Sequence, residues 1–239
     1  MKIDAQALSY INNVLKVADI ANLNHIAIES NRVRGMDENQ RVFLLQTDGI
    51  PEFAFGSIGL NRLPQFVSRY DMTRTGTNFS MEATVEANNG NPFVRSLTMK
   101  SKGLKVDYRC ANPLSVIAPK SIGKPFVYQF TASEEIALYL QKGQAAYNTE
   151  HVTFIGTEEG VVMEMADINN DKMQFDVADS VEILTNDVSV TTVDFRHKYP
   201  IKLLLPIIKA ANGAPFTINT QGIARIAIAG FSVHLWAVQ

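Results

Sequence analysis

Ser121 and Lys124 are spaced like the Ser-x-x-Lys pair of some acyl-transfer enzymes, in which the amine activates the hydroxyl. Here the pair falls inside ANPLSVIAPKSIGKP (111–125), which holds three of the nine prolines and offers no helix to aim the serine. Turn chemistry is the better reading. Asp167, Asn169 and Asp171 open like a calcium loop, but Lys172 stands at the glycine position and Ala178 at that of the bidentate glutamate, so a β-turn is expected. Gly156 and Gly160 flank a hairpin instead of cradling a phosphate. Cys110 can be paired on paper with His25, His151, His197 or His234, yet these are scattered without ligand or nucleophile spacing. The expectation is a protein with no catalytic centre, no metal site and no cofactor.

What remains as chemistry is placed charge. Arg62 and Arg69 lie seven residues apart in LNRLPQFVSRY (60–70), and Lys202 and Lys209 do the same in 199–212. Seven residues is two helical turns, so each pair shares a face. Both stretches read as short helices without Asp or Glu. Asn61 is the expected N-cap of the first, with Pro64 in the first turn, where a missing N–H is harmless. Pro206 is expected to kink the second or shift its start.

The elements around them follow from periodicity. Asp4 caps a helix over 4–18 with Leu8, Ile11, Leu15 and Ala18 on one face and Asn12, Asn13 and Lys16 opposite. HIAIES and RVFLLQT are strands separated by a turn at 36–40, and Phe53 and Phe55 alternate in another strand. Strands over 78–87, 92–101 and 104–110 close the first half. The second opens with a strand over 126–130 and a capping box from Thr131 to Glu134, whose helix turns Ile136, Tyr139 and Leu140 inward and Lys142 outward. Strands then cover 151–157, 160–167, 173–177 and 188–195, and after the second short helix 216–220, 223–229 and 232–238. Both halves thus run long helix, strands, short basic helix, strands. The organisation expected is a domain over 1–110, an extended connector over 111–125 and a second domain over 126–239.

Size and composition set bounds. A chain of 239 residues with 46% hydrophobic and 19% charged content suits a packed globule. No apolar run reaches the length of a membrane span, and the N-terminus lacks the apolar core of a signal peptide. A single cysteine suits the cytoplasm. The net charge of −2 argues against a generic basic nucleic-acid binder, so any DNA contact must come from local placement of Lys and Arg.

Four stretches carry a resemblance. VRGMDENQRVFLLQT (33–47), LNRLPQFVSRY, NPLSVIAPKSIGKPF (112–126), and YPIKLLLPIIKAA with the terminal HLWAV together resemble the DNA sliding clamps of tailed bacteriophages, relatives of proliferating-cell nuclear antigen. The resemblance implies an α+β fold of two similar clamp domains, with antiparallel sheets outside and helices lining a ring. It implies a homotrimer closed head to tail. The edge strands 104–110 and 173–177 would pair between subunits, with Val106, Tyr108, Phe175 and Val177 as apolar packing. Lys16, Arg62, Arg69, Lys142, Lys202 and Lys209 would face double-stranded DNA and touch its phosphates without reading sequence. A partner-peptide pocket is implied at Met36, Val42, Leu44, Val116, Ile117, Pro119, Leu235, Trp236 and Val238, with Trp236 as a partly exposed anchor. The implied partners are the replicative DNA polymerase, a clamp-loader ATPase and late-transcription factors, with no membrane, in the cytoplasm of the viral host. The implied function is a non-enzymatic processivity factor. The competing readings are an α+β small-ligand-binding enzyme or carrier without a recognisable motif, and a phage structural protein.

Overall fold

The structure is a computed structural model that describes residues 1–88, 90–117, 124–178, 181–184 and 194–238. The chain divides into two compact units, Met1–Pro119 and Lys120–Gln239.

In the first unit Asp4 accepts the Ala7 N–H at 2.8 Å and starts α1 (Ala5–Ile20), which buries Ala7, Ile11, Val14, Leu15, Val17 and Ala18. Then come β1 (His25–Ile28), β2 (Val33–Met36), β3 (Val42–Gln46) and β4 (Ile58–Leu60), side by side and antiparallel in the order β3-β2-β1-β4. The turn between β2 and β3 is built on buried Asp37, whose carboxylate accepts the N–H groups of Arg41 and Val42 at 2.6 Å each. Helix α2 (Leu63–Arg74) leads to β5 (Ser80–Asn88), β6 (Asn91–Ser101) and β7 (Leu104–Arg109), an antiparallel sheet in sequence order. Lys2 bridges to Glu82 on the free side of β5.

The second unit opens with β8 (Phe126–Thr131) and α3 (Glu134–Tyr147), followed by β9 (His151–Thr157), β10 (Gly160–Ala166), β11 (Lys172–Ala178), β12 (Glu182–Ile183) and β13 (Phe195–Pro200). Helix α4 (Ile201–Ala210) and β14 (Pro215–Asn219), β15 (Ile223–Ile228) and β16 (Phe231–Trp236) complete it. One sheet runs β12-β8-β14-β15-β16 and the other β11-β10-β9-β13. The two-residue hairpin loop Glu158-Glu159 pairs Thr157 with Gly160. The order β11-β10-β9-β13 repeats β3-β2-β1-β4, and β8-β14-β15-β16 repeats Lys2-β5-β6-β7. Each unit therefore carries the same arrangement of strands and two helices.

Packing is aromatic at both helix layers. Phe66 on α2 meets Tyr108 on β7 edge to face at 4.9 Å, and Phe130, Phe154, Phe216 and Tyr199 interlock in the second unit. Such pairs add about 1 kcal/mol each beyond the area they bury.

Several local expectations are corrected. Helix α2 is not 60–70 capped by Asn61: it begins at Leu63 after Arg62, with no side-chain cap, and runs on to Arg74. It therefore contains an acid, Asp71, which pairs with Arg74 at 2.6 Å. Phe53 and Phe55 form no strand; they stack on each other at 5.0 Å in a turn, beside Tyr10. There is no capping box at Thr131. That residue ends β8, and α3 is capped by Ser133, which accepts the Ile136 N–H at 3.2 Å, and by Asn212, which accepts the Glu134 N–H at 3.1 Å. Tyr199 and Pro200 belong to β13, so the last helix starts at Ile201 and carries Pro206 inside it. An unanticipated strand, β2, lies between the two runs read from the first half. Of the strand expected over 188–195, residues 188–193 lie outside the described residues.

Candidate nucleic-acid interface

The four helices place the predicted cations. Lys16 on α1, Lys142 on α3 and Lys202 and Lys209 on α4 are exposed, and Arg69 on α2 is half-buried. In the first unit α2 reaches α1 through Arg74, which donates to the Asn12 amide oxygen at 3.2 Å. In the second, Lys209 donates to Gln141 Oε1 on α3 at 3.2 Å. Among the described residues none of the six predicted cations joins a carboxylate in an ion pair. Arg74, Arg95, Lys100, Lys105, Lys172 and Arg196 all do.

Besides Lys209 with its bond to Gln141, two of the six sit over aromatic rings. Arg62 precedes α2 and donates to the Arg109 carbonyl at 3.3 Å, with its guanidinium 5.2 Å from the Tyr108 ring centre. Lys142 lies 5.9 Å from the Tyr139 ring, which stacks on Phe175 of β11 at 3.6 Å. Each unit thus has a cation over an aromatic at the junction of a helix and an outer strand. Arg74 was missed by the sequence reading; the spacing of Phe66, Tyr70 and Thr73 could have extended the helix to it.

Strands β7 and β11 each lack a partner strand on one side among the described residues. Cys110 N–H bonds the Arg95 carbonyl at 2.8 Å, so alternation turns the main-chain groups of Lys105, Asp107 and Arg109 to the open edge of β7. Tyr108 is fully buried against α2, and Val106, on the same strand face, is half-buried. Phe175 is covered by Tyr139, and Val177 is half-buried. What the edges offer is chiefly main chain.

The segment after β7 is held to the first unit by groups the sequence did not flag. Ala111 bridges to Gly59, where a Cβ would strike the Ala111 carbonyl. Pro113–Ser115 forms a 3-10 turn capped by Asn112, where an extended connector was expected. Arg34, fixed by Glu29 at 3.2 Å, donates to the Pro113 carbonyl at 2.9 Å and also to that of Val116. His25 Nε2 donates to the Ile117 carbonyl at 3.0 Å. Of the predicted peptide-pocket residues, Met36, Val42, Leu44, Val116 and Leu235 are buried, Trp236 and Val238 are half-buried, and Ile117 is 62% exposed. Pro119 lies outside the described residues, as do Ser121 and the rest of 118–123. Met36 and Ile117 meet at a cleft of about 450 Å³ that also takes in His25, Asp37 and Arg62.

The stretch that opens like a calcium loop forms the expected turn, whereas Ser121 of the Ser-x-x-Lys pair lies outside the described residues. Asp167 accepts the N–H groups of Asn169 and Asp171 at 2.8 and 2.9 Å, closing the β10–β11 turn. Among the described residues no group of three or more His, Cys, Asp or Glu is placed to hold a metal. Burial pushes the Cys110 thiol up to about 12, so it carries no thiolate near neutrality.

No protein-family model matches the sequence, and no curated protein matches it. Solved structures do. The chain aligns with A. fulgidus proliferating-cell nuclear antigen bound to the C-terminal region of FEN-1, with a TM-score of 0.63 and 13% identity, over 96% of this chain and 95% of that one. The chain has the sliding-clamp fold. The H. pylori beta clamp in complex with 5-chloroisatin matches with a TM-score of 0.62 and 12% identity over 97% of this chain and 62% of that one. The DNA polymerase sliding clamp from Pseudomonas aeruginosa matches with a TM-score of 0.59 and 6% identity over 91% and 58%. The chain therefore spans about three fifths of each bacterial clamp and nearly all of the archaeal one. In this clamp fold no helix among the described residues is long and apolar enough to cross a membrane.

Proposed function

We propose that this protein is a DNA sliding clamp, a homotrimeric ring that encloses duplex DNA and tethers a replicative polymerase. One observation carries the reading: in a clamp fold, the helix cations Lys16, Arg69, Lys142, Lys202 and Lys209 have no carboxylate partner among the described residues, which leaves their charge for phosphates. Arg62 joins them at the start of α2, in contact with the β7 edge. The contact needed is loose, because enclosure holds the ring on DNA and weak phosphate contacts allow it to slide. Subunits join through the β7 edge of one and the β11 edge of the next, a head-to-tail contact whose rotation closes after three copies. Domain limits near 1–110 and 126–239, with 111–125 as the connector, fit this layout.

Partners would dock beside the connector, where Ile117 remains open in the first unit; in the second unit Trp236 and Val238 are partly open. They are a polymerase, a clamp-loader ATPase and, in a tailed phage, late-transcription factors, all in the host cytoplasm. The likeness to PCNA bound by the C-terminal region of FEN-1 supports docking of a short peptide tail. The test is light scattering followed by loading onto circular DNA. A trimeric mass, and protein that stays on nicked circles in high salt but leaves once they are cut to linear form, is the expected result. A monomer, or equal loss from circles and linear DNA, refutes enclosure.

A further inference from the structure

The face of the β11-β10-β9-β13 sheet turned away from α3 carries a charged cleft that the clamp reading does not use. Met173 and Phe175 on β11 face α3, so alternation sends Lys172 and Gln174 to the other side. Register puts Lys198, Thr153, Glu164 and Gln174 in one row across the four strands. Glu164 forms the floor: its side chain is 8% exposed and accepts from Arg196 at 2.5 Å, Gln174 at 3.1 Å and Lys172 at 3.3 Å. Burial would raise its pKa; those three donors outweigh burial and hold the carboxyl below its usual range. The cleft measures about 420 Å³, and Thr149, Thr153 and Asn170 complete its polar wall.

Charge in the cleft is lopsided. Lys172, Arg196 and Lys198 line it against one carboxylate, and Lys198 has no ion-pair partner among the described residues. We propose that this cleft binds an extended acidic peptide segment of a partner protein. Lys198 on β13 and Lys172 on β11 are three strand spacings apart across the sheet, about 14 Å at ~4.8 Å each; Lys172 stands two residues off the row, opposite Ala166, and its side chain reaches back to the row at Glu164. Four residues of extended chain cover that distance across the sheet at ~3.4 Å each, and residues i and i+4 of such a chain point the same way. The fitting segment therefore has acids four apart, one for each lysine, and passes over Thr153 and Glu164. The Glu164 floor favours singly charged carboxylates over a doubly charged phosphate placed against it.

The test uses fluorescence anisotropy of the full chain at low salt with two labelled peptides of equal charge, Glu-Gly-Ser-Gly-Glu and Glu-Glu-Gly-Ser-Gly. The spaced peptide binds several-fold more tightly. Lys198→Glu weakens it about tenfold, Glu164→Gln tightens it by removing the floor anion, and Lys102→Glu, in the β6–β7 turn, changes nothing. Thermal melts of the variants verify that the sheet is intact. Equal affinity of wild type and folded Lys198→Glu overturns the proposal. So does equal binding of the two peptides, or displacement by inorganic phosphate or duplex DNA at lower concentration than by unlabelled spaced peptide.

Discussion

Asp107→Pro separates the open edge of β7 from the fold behind it. The Asp107 N–H points away from β6, so proline there removes no bond of the β6–β7 ladder, whereas proline at Val106 would. The side chain gives up a 2.6 Å bond from the Thr98 hydroxyl and a 3.2 Å pair with Lys105, both at the surface. Asp107→Ala loses the same two interactions and keeps the N–H, so it is the matched control. If an incoming strand uses that donor, each subunit contact weakens by about 1.5 kcal/mol, one hydrogen bond plus the intrusion of the ring. A closed trimer has three such contacts, so the association constant falls by about 4.5 kcal/mol, or roughly 2,000-fold. Three-body association makes the midpoint concentration vary as the square root, giving a rise of about 45-fold. Sedimentation equilibrium or light scattering over a dilution series reads this shift directly. If Asp107→Pro dissociates at the same concentration as Asp107→Ala, the β7 edge is not the subunit contact and the ring proposed from it is wrong.

Three further outcomes are expected. Lys202→Glu with Lys209→Glu sacrifices only the exposed bond to Gln141, so the oligomeric mass holds while processive synthesis falls. The slope of DNA affinity against salt, on log axes, shrinks by about 0.9 for each phosphate no longer neutralised, and unchanged processivity at physiological salt would remove these residues from the DNA-facing set. Trp236→Ala weakens a polymerase tail peptide in calorimetry; equal affinity would take Trp236 out of the pocket. His234 is held neutral by burial and, secondarily, by Arg225, its pKa lowered from 6.5 to about 3. The unfolded chain protonates it first, so its share of stability is whole above pH 6.5 and drains away as pH falls toward 3. Between pH 7 and pH 5 the loss is about 2 kcal/mol. Urea melts at the two pH values should show His234→Leu losing that much less than wild type, with His197, also lowered by burial, contributing to both. Parallel losses would contradict the burial argument.

What could be read in the sequence was what neighbours in the chain decide. The Asp4 cap, the apolar stripe of α1 and the hairpin at Thr157–Gly160 are settled within a few residues, and the structure places them as periodicity does. Where a distant group decides, the reading slipped. Asn212 caps α3 from 78 residues away, so Thr131 and Glu134 looked like a local box. Phe53 and Phe55 alternate like a strand because both pack into a cluster with Tyr10, not because they join a ladder. Arg34 reads as an ordinary strand cation, yet it holds carbonyls 79 and 82 residues on. Arg62 and Arg69 keep their sevenfold spacing, but Arg62 falls just before the helix and turns to β7. A pattern of charge along a helix is visible in one dimension, while what each charge touches is not.

The same distinction reconciles a net charge of −2 with the DNA contact proposed above. Total charge counts every carboxylate equally, but in the β5-β6-β7 sheet Glu82, Glu86 and Asp107 are each paired with a sheet cation, Lys100, Arg95 and Lys105. Glu29 and Glu164 are likewise satisfied by their own arginines. Carboxylates neutralised at contact distance contribute little beyond a Debye length of about 8 Å at physiological salt. Apart from Arg74, which pairs with Asp71, the helix cations Lys16, Arg69, Lys142, Lys202 and Lys209 have no such partner among the described residues, so the field above the helices is set by them and by the few acids at helix ends, such as Asp4 and Glu134. Local pairing, not composition, thus decides which surface of this protein is positive. Reversing a sheet cation such as Lys100 should therefore disturb DNA contact far less than reversing Lys202, although both change net charge by the same amount. Filter binding of duplex DNA by Lys100→Glu and Lys202→Glu compares the two directly, and equal losses would mean that net charge governs after all.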